Sequence, residues 1–202
     1  MRITKIETQK KNKKRFNLFS DDVFLFGISE DTYVHFHIQR DKEYSDKELQ
    51  EIQNHDEIMQ CQAQALRYLS RRPHLRNELL RKLRQKMFES EIIYKTLNRL
   101  LDLGYINDRD FIERFISDEI RLKKSGPLII KKKLLEKGAS QSDIDEILGN
   151  SYSVQDQLEN AQALFNKKTG TSQGSETKKI LAHLQQKGYS WEIIRQVADL
   201  NK

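Results

Sequence analysis

The sequence predicts a mainly α-helical protein: three tandem three-helix repeats forming an elongated curved array, with a small N-terminal β meander. Three observations predict it. Leu79, Leu83, Lys86, Met87 and Ile93 recur fifty-one positions later as Ile130, Leu134, Lys137, Gly138 and Ile144, and fifty further on as Ile180, Leu184, Lys187, Gly188 and Ile194. Eight Gly and only two Pro in 202 residues leave little to interrupt helices. Short aromatic and β-branched runs bounded by turn residues are confined to the first 28 positions. A unit of about fifty residues cannot bury its apolar face alone, so stacked neighbours must supply the core. Function is therefore to be sought on a long surface and not in one deep pocket.

Taken in order, Ile3 and Ile6, then Phe16 and Leu18, then Val23–Phe26 predict three strands, separated by the basic KKNKKR stretch and by Ser20-Asp21-Asp22 and ending near Gly27. Ser29 is placed to cap a short helix through about His37, and a polar connection follows. Ser45-x-x-Glu48 is a capping box. It opens a helix from Asp46 through Glu57 and on to Leu69, with or without a break, that Pro73 stops. A second helix is predicted from about Leu75 to Met87, with Leu79, Leu80 and Leu83 on one stripe, and a third from Glu89 to Leu103, closed by Gly104.

The second repeat restarts at the cap pair Asn107-x-x-Asp110 and carries Phe111, Phe115, Ile116 and Ile120 on its first helix. Gly126-Pro127 begins its second helix, where Pro costs nothing because the first-turn N–H is unpaired anyway. Ser140-x-x-Asp143 caps its third helix, predicted to end at Gly149. The third repeat spans about Val154 to Leu200, and its internal joint KKTGTSQGSE reads as a mobile loop. The predicted segments are thus 1–45, 46–105, 106–150 and 151–202.

With 37% apolar and 33% charged residues the chain has enough apolar sequence for a core but an unusually charged surface. No apolar run reaches the roughly eighteen residues of a membrane span, and the N-terminal MRITKIETQKKNKK lacks the apolar centre of a signal peptide, so a cytoplasmic location without membrane contact is expected. The single Cys61 forms no internal disulfide, and no Cys/His cluster offers a zinc site. His35-x-His37 lacks a third ligand and reads as structural. Cys61 reads as a buried, inert thiol, and Tyr189 and Trp191 as packing residues. No phosphate-binding loop, nucleophile elbow or apolar-set acid pair is present, so neither catalysis nor a cofactor is proposed.

The net charge of +6 is unevenly spread. Residues 58–105 carry ten basic and four acidic side chains, whereas residues 106–150 carry nine of each. The first repeat therefore holds the basic excess, which favours a polyanion or an acidic protein surface as partner; a solvated basic face is the alternative. The leading candidates are Arg67, Arg71, Arg72, Arg76, Arg81, Lys82, Arg84 and Lys86, because arginine offers planar donor forks suited to carboxylate or phosphate. Lys123, Lys124, Lys131, Lys132 and Lys133 form a second patch around the Gly126-Pro127 turn, in a weaker local field. Lys10, Lys11, Lys13, Lys14 and Arg15 make a basic turn.

The string Ala65-Leu-Arg-Tyr-Leu-Ser-Arg-Arg-Pro73 with Glu78-Leu79 and Lys82-Leu83 resembles the RecX family, regulators of the bacterial RecA recombinase. So do Gly104-Tyr105-Ile106-Asn107-Asp108 followed by Phe111, and Gly126-Pro127-x-x-Ile130 with Leu134-x-x-Lys137-Gly138. The likeness is strongest over residues 60–148 and looser in the third repeat. Two departures concern helix ends: Leu75 stands where the family more often has a capping Ser, and Met87 where Gly often ends the helix. The resemblance implies a binding protein without catalysis that lodges in the groove of the RecA filament on single- or double-stranded DNA. There it would hinder ATP hydrolysis, strand exchange and filament growth, so acting on homologous recombination, DNA repair and the SOS response. A monomer is expected. The resemblance also favours contact with RecA or DNA by the first-repeat cluster; the lysine patch around Gly126-Pro127 is a second candidate for such contact, with a solvated face as its alternative. A helical regulator acting on naked DNA is the competing expectation, since three-helix units also resemble helix-turn-helix modules.

Overall fold

The computed structural model describes residues 1–169 and 177–201, and they form two compact units. Most of the joint 167–176 lies outside the described residues. Three strands and ten helices are present among those described. None of these helices is long and apolar enough to cross a membrane.

One unit comprises Met1–Arg72 and Leu80–Leu103. Its antiparallel sheet runs in the order β1 (Lys5–Thr8), β2 (Arg15–Ser20), β3 (Val23–Ser29). Alternation puts Ile6, Phe16, Leu18, Phe26 and Ile28 toward a core completed by Ile3, Ile38, Tyr44, Leu49 and Ile52. The sheet continues past Gly27 to Ser29 because Arg15 still pairs with Ser29. Ser29 then caps α1 (Glu30–His35), its hydroxyl accepting from the Thr32 N–H. The connection after it is more than a polar spacer, since it lends Ile38 and Tyr44 to the core.

Helix α2 (Asp46–Leu69) is unbroken over 24 residues, and its Ser45–Glu48 capping box forms in both directions. Asp56, in the middle of α2, is buried and ties the helix to the sheet. Its carboxylate accepts from the Ser29 N–H at 2.7 Å, Gln60 Nε2 at 2.7 Å, Arg15 at 2.9 Å and Thr32 Oγ1 at 3.0 Å. Burial alone would raise this carboxyl, but the Ser29 and Arg15 donors more than offset it and hold it below the usual carboxylate range. The second half of α2 packs against α4 (Ser90–Asp102), with Cys61, Ala65, Ile93, Leu97 and Leu100 buried. Burial pushes the Cys61 thiol up, in keeping with an inert core residue.

Helix α3 (Arg76–Arg84) is shorter at both ends than expected. Leu75 is buried in the apolar cluster of the second unit and so leaves no capping side chain; instead the Asp108 carboxylate accepts the Arg76 N–H at 2.7 Å. At the other end the last turn tightens, with Lys86 N–H donating to Leu83 O and Met87 N–H to Arg84 O. Met87 then adopts φ +66° and is 88% exposed.

The other unit comprises Pro73–Leu79 and Gly104–Lys202. Helices α5 (Asp108–Lys123), α6 (Pro127–Lys137) and α7 (Gln141–Ser151) enclose Ile112, Ile116, Ile130, Leu134, Ile144 and Ile147. Helix α7 runs two residues beyond Gly149, because Ser151 Oγ donates back to Ile147 O and Tyr152 N–H to Leu148 O. Helices α8 (Val154–Thr169), α9 (Thr177–Gln186) and α10 (Trp191–Asp199) enclose Ala161, Phe165, Ile180, Leu184, Ile194 and Val197. Two glycines join these bundles. Gly126 N–H donates to Lys187 O at 2.7 Å and Leu128 N–H to Gly188 O at 3.1 Å, so backbone lies on backbone. A Cβ on Gly126 would stand 2.3 Å from Gly188 C, and one on Gly188 2.5 Å from Ile129 N. Tyr189 reinforces the joint, its hydroxyl donating to Lys124 O at 2.8 Å and lying 3.3 Å from Tyr152 Oη.

Beneath the same turn, Glu119 is buried and is answered by Lys123 at 2.6 Å, Lys133 at 2.7 Å and Ser125 Oγ at 2.7 Å. Burial opposes its charge, but these three donors more than offset it and take its carboxyl down from 4.5 to about 2.

Three outcomes follow from this architecture. Met87→Gly, which removes a left-handed side chain at an exposed position, stabilises the protein by about 1 kcal/mol in urea unfolding. Gly188→Ala, strained in φ and in contact, costs about 3 kcal/mol, and the loss of amide-exchange protection is concentrated in residues 154–199. Because the folded Glu119 pKa is depressed, the unfolded chain binds the extra proton between pH 4.5 and about 2. The Glu119 contribution to stability is complete above that window and is lost as pH falls through it; Glu119→Gln removes that component of the pH dependence, as acid titration of unfolding would show.

Candidate functional site

The basic candidates of the first repeat come from two stretches of chain. Arg67 lies in the last turn of α2 and Arg71 and Arg72 just beyond it; Arg81, Lys82 and Arg84 occupy the end of α3, and Lys86 follows. Arginine and lysine at helix C-termini are favoured by the helix dipole, which accounts for both concentrations locally. The fold brings the stretches together: Lys82 Nζ sits 5.1 Å over the Tyr68 ring, within the range of a cation–π contact. Arg84 reaches the Tyr94 hydroxyl at 3.5 Å.

Arg67, Arg71, Arg72, Arg81, Arg84 and Lys86 are exposed, and Lys82 is half-buried. Among the described residues, no carboxylate lies within ion-pair distance of Arg67, Arg71, Arg84 or Lys86. Tyr68 and Tyr94 interleave aromatic surface with this charge, and Tyr94 is 41% exposed. Sequence reasoning did not single out either tyrosine. The available signal was Tyr68 inside the arginine-rich string and Tyr94 one helix away, but only the packing of α2, α3 and α4 makes them neighbours of the cations.

Arg76 belongs to the other unit, half-buried at the start of α3. The second patch is different in kind. Lys123 and Lys133 neutralise the buried Glu119, Lys131 pairs with Asp145 at 2.8 Å, and Lys132 lies 4.0 Å from Glu136. Lys124 takes φ +46° and donates to Asn160 Oδ1 at 2.8 Å. These lysines are largely committed to carboxylates or amides of their own fold, so their net field outward is small. The equal charge count of residues 106–150 already pointed this way; the buried position of Glu119 did not show in the sequence.

His35 stacks on His55 with ring centroids 4.6 Å apart. Among the described residues no group of three or more His, Cys, Asp or Glu is placed to hold a metal. Tyr189 packs as expected, but Trp191 does not: it opens α10 and is 60% exposed. The reason is register, since Ile193 and Ile194 take the two inward positions of that turn.

Comparison with known proteins agrees with this architecture. The family description "Regulatory protein RecX N-terminal domain" matches residues 1–45, "RecX, first three-helix domain" residues 61–100, and "RecX, third three-helix domain" residues 155–198, so the looser third copy is also recognised. Regulatory protein RecX of Bacillus subtilis is 33% identical over 201 residues, covering 98% of this chain and 76% of the relative. That of Listeria welshimeri is 33% identical over 199 residues, covering 96% and 74%. Among solved structures, a crystal structure of regulatory protein RecX superposes with TM-score 0.69 at 26% identity over 98% of both chains. The RecX of Lactobacillus salivarius superposes with TM-score 0.63 at 29% identity, over 71% of this chain and 96% of that one. With relatives matched over nearly all of this chain, matched N-terminal and three-helix segments and a shared fold, the chain belongs to the RecX family of regulatory proteins.

Proposed function

We propose that the chain is a non-catalytic cytoplasmic regulator that binds in the groove of a RecA filament on DNA and restrains it. It lowers ATP hydrolysis and strand exchange and limits filament growth, and thereby tempers homologous recombination, DNA repair and the SOS response. The observation that carries this reading, beside membership of the family, is the exposed cationic surface of α2 and α3. Arg67, Arg71, Arg84 and Lys86 are left without carboxylates, and Tyr68 and Tyr94 stand among them. Such a surface suits acidic protein or phosphate, and a filament groove offers both.

The remaining candidates, Arg72, Arg76, Arg81, Lys82 and the lysines 123, 124 and 131–133, belong to the same proposal as secondary contacts. The four segments 1–45, 46–105, 106–150 and 151–202 are its working division. A filament groove rewards many modest contacts spread along the chain over one deep site.

Added to RecA filaments on single-stranded DNA, the protein lowers ATP hydrolysis at or below equal stoichiometry. The variant Arg71→Ala/Arg84→Ala/Lys86→Ala needs about tenfold more protein for the same inhibition, with unchanged helicity by circular dichroism. Full inhibition by this variant would assign the cluster to solvated surface. Unchanged hydrolysis with the wild type, together with sequence-dependent affinity for naked duplex, would move the reading to a DNA-binding regulator.

A further inference from the structure

The basic β1–β2 turn and the end of α2 are remote in sequence, yet within the first unit they border one cleft of about 450 Å³. Lys14 and Arg67 bring positive charge to its lining, Phe88 an aromatic ring, and Asn12 and Gln64 carboxamides. Glu30 and Asp31 also line it. The side chains of Lys14, Gln64 and Arg67 make no hydrogen bond or ion pair to the rest of the described protein, so they are available to a ligand. Lys10, Lys11 and Lys13, all exposed, continue the positive charge along the turn.

The volume lies within the few hundred to about 1,000 Å³ typical of small-molecule sites, enough for one nucleotide. The mixture of groups selects the class of ligand. A phosphate is matched by Lys14 and Arg67, and a base face by Phe88. Arg15 lines the cleft as well but is paired with Asp56. The two carboxylates beside the remaining cations, Lys14 and Arg67, disfavour an acidic peptide, but they are acceptors for the exocyclic amino groups of bases, and the carboxamides can both donate and accept. A base paired in duplex cannot leave its stack to enter such a cleft without cost, whereas a single-stranded one is free to do so.

We propose that this cleft seats one nucleotide of single-stranded DNA, its phosphate held by Lys14 and Arg67, its base laid against Phe88 and its edge read by Gln64, Asn12 and the Glu30–Asp31 pair. The turn lysines take the neighbouring phosphates. Binding needs no filament and is measured on the protein alone, so it stands or falls separately from the function proposed above.

The test is fluorescence anisotropy with a labelled mixed-sequence oligonucleotide, single-stranded and as duplex, at several salt concentrations. The wild type binds the single strand more tightly than the duplex. Lys14→Ala/Arg67→Ala weakens single-strand binding about tenfold and lowers the slope of log K against log salt by about 1.4, the value for two lost phosphate contacts. Phe88→Leu weakens it about fivefold to tenfold with the slope unchanged. Arg114→Ala/Arg121→Ala, which removes the same charge elsewhere, leaves both quantities near wild type. Circular dichroism confirms that each variant is folded; the exposed Lys14 and Arg67 keep the test decisive even if Phe88→Leu is destabilised. Equal losses in the cleft and control variants, or no loss in the cleft double variant, would overturn the proposal. Displacement of the oligonucleotide by polyglutamate equally from wild type and Phe88→Leu would replace it with an acidic-peptide site.

Discussion

Each repeat depends on one backbone constraint: the left-handed residue that ends its second helix. Met87, Gly138 and Gly188 have φ of +66°, +96° and +85°, and each follows a buried leucine by four residues and precedes a buried isoleucine by six. The reversal is closed by main-chain bonds, with Leu134 O accepting from Ala139 N–H and Leu184 O from Tyr189 N–H. With this turn the third helix folds back, and in the second and third repeats its isoleucine joins the leucine of the second helix in one core. All nine apolar anchors of the pattern are buried to within 3% exposure, as that geometry requires. The first copy accepts the strain of a side chain there; the third uses the missing side chain again, to bring Gly188 against Gly126.

Charge is distributed by a second rule, burial of one partner. Glu119 is taken out of water, and its cost is met by Lys123, Lys133 and Ser125 together. A lysine run that looks like a binding patch is thereby turned largely inward in its electrostatics. In the first repeat Lys82 lies over the Tyr68 ring and Arg84 reaches the Tyr94 hydroxyl. Similar local density of basic residues thus yields a structural cluster in one copy and, in another, an exposed surface on which Arg67, Arg71, Arg84 and Lys86 face no carboxylate among the described residues.

Much of the fold was legible because its signals are local. The capping residues Ser29, Ser45, Asn107 and Ser140 all accept the expected N–H bonds, and Pro127 opens its helix. The misreadings came where distant residues intervened. Asp108 caps α3 in place of a local side chain, Leu75 is spent on a core, and Ile193 and Ile194 turn Trp191 outward. The site was legible only as composition: the arginine density of the first repeat shows in the chain, but not which cations lack acids.

The sequence by itself determined the repeat, its register, the strand-rich beginning and the family, because a fifty-residue period and helix caps are written in contiguous residues. Tertiary structure alone decided which of the charged side chains face a carboxylate, which aromatics stand among the cations, and that Lys14 and Arg67 line the same cleft. Those outcomes depend on separations in space between residues far apart in the chain, and electrostatic strength depends on that distance and on burial, neither of which a linear pattern carries.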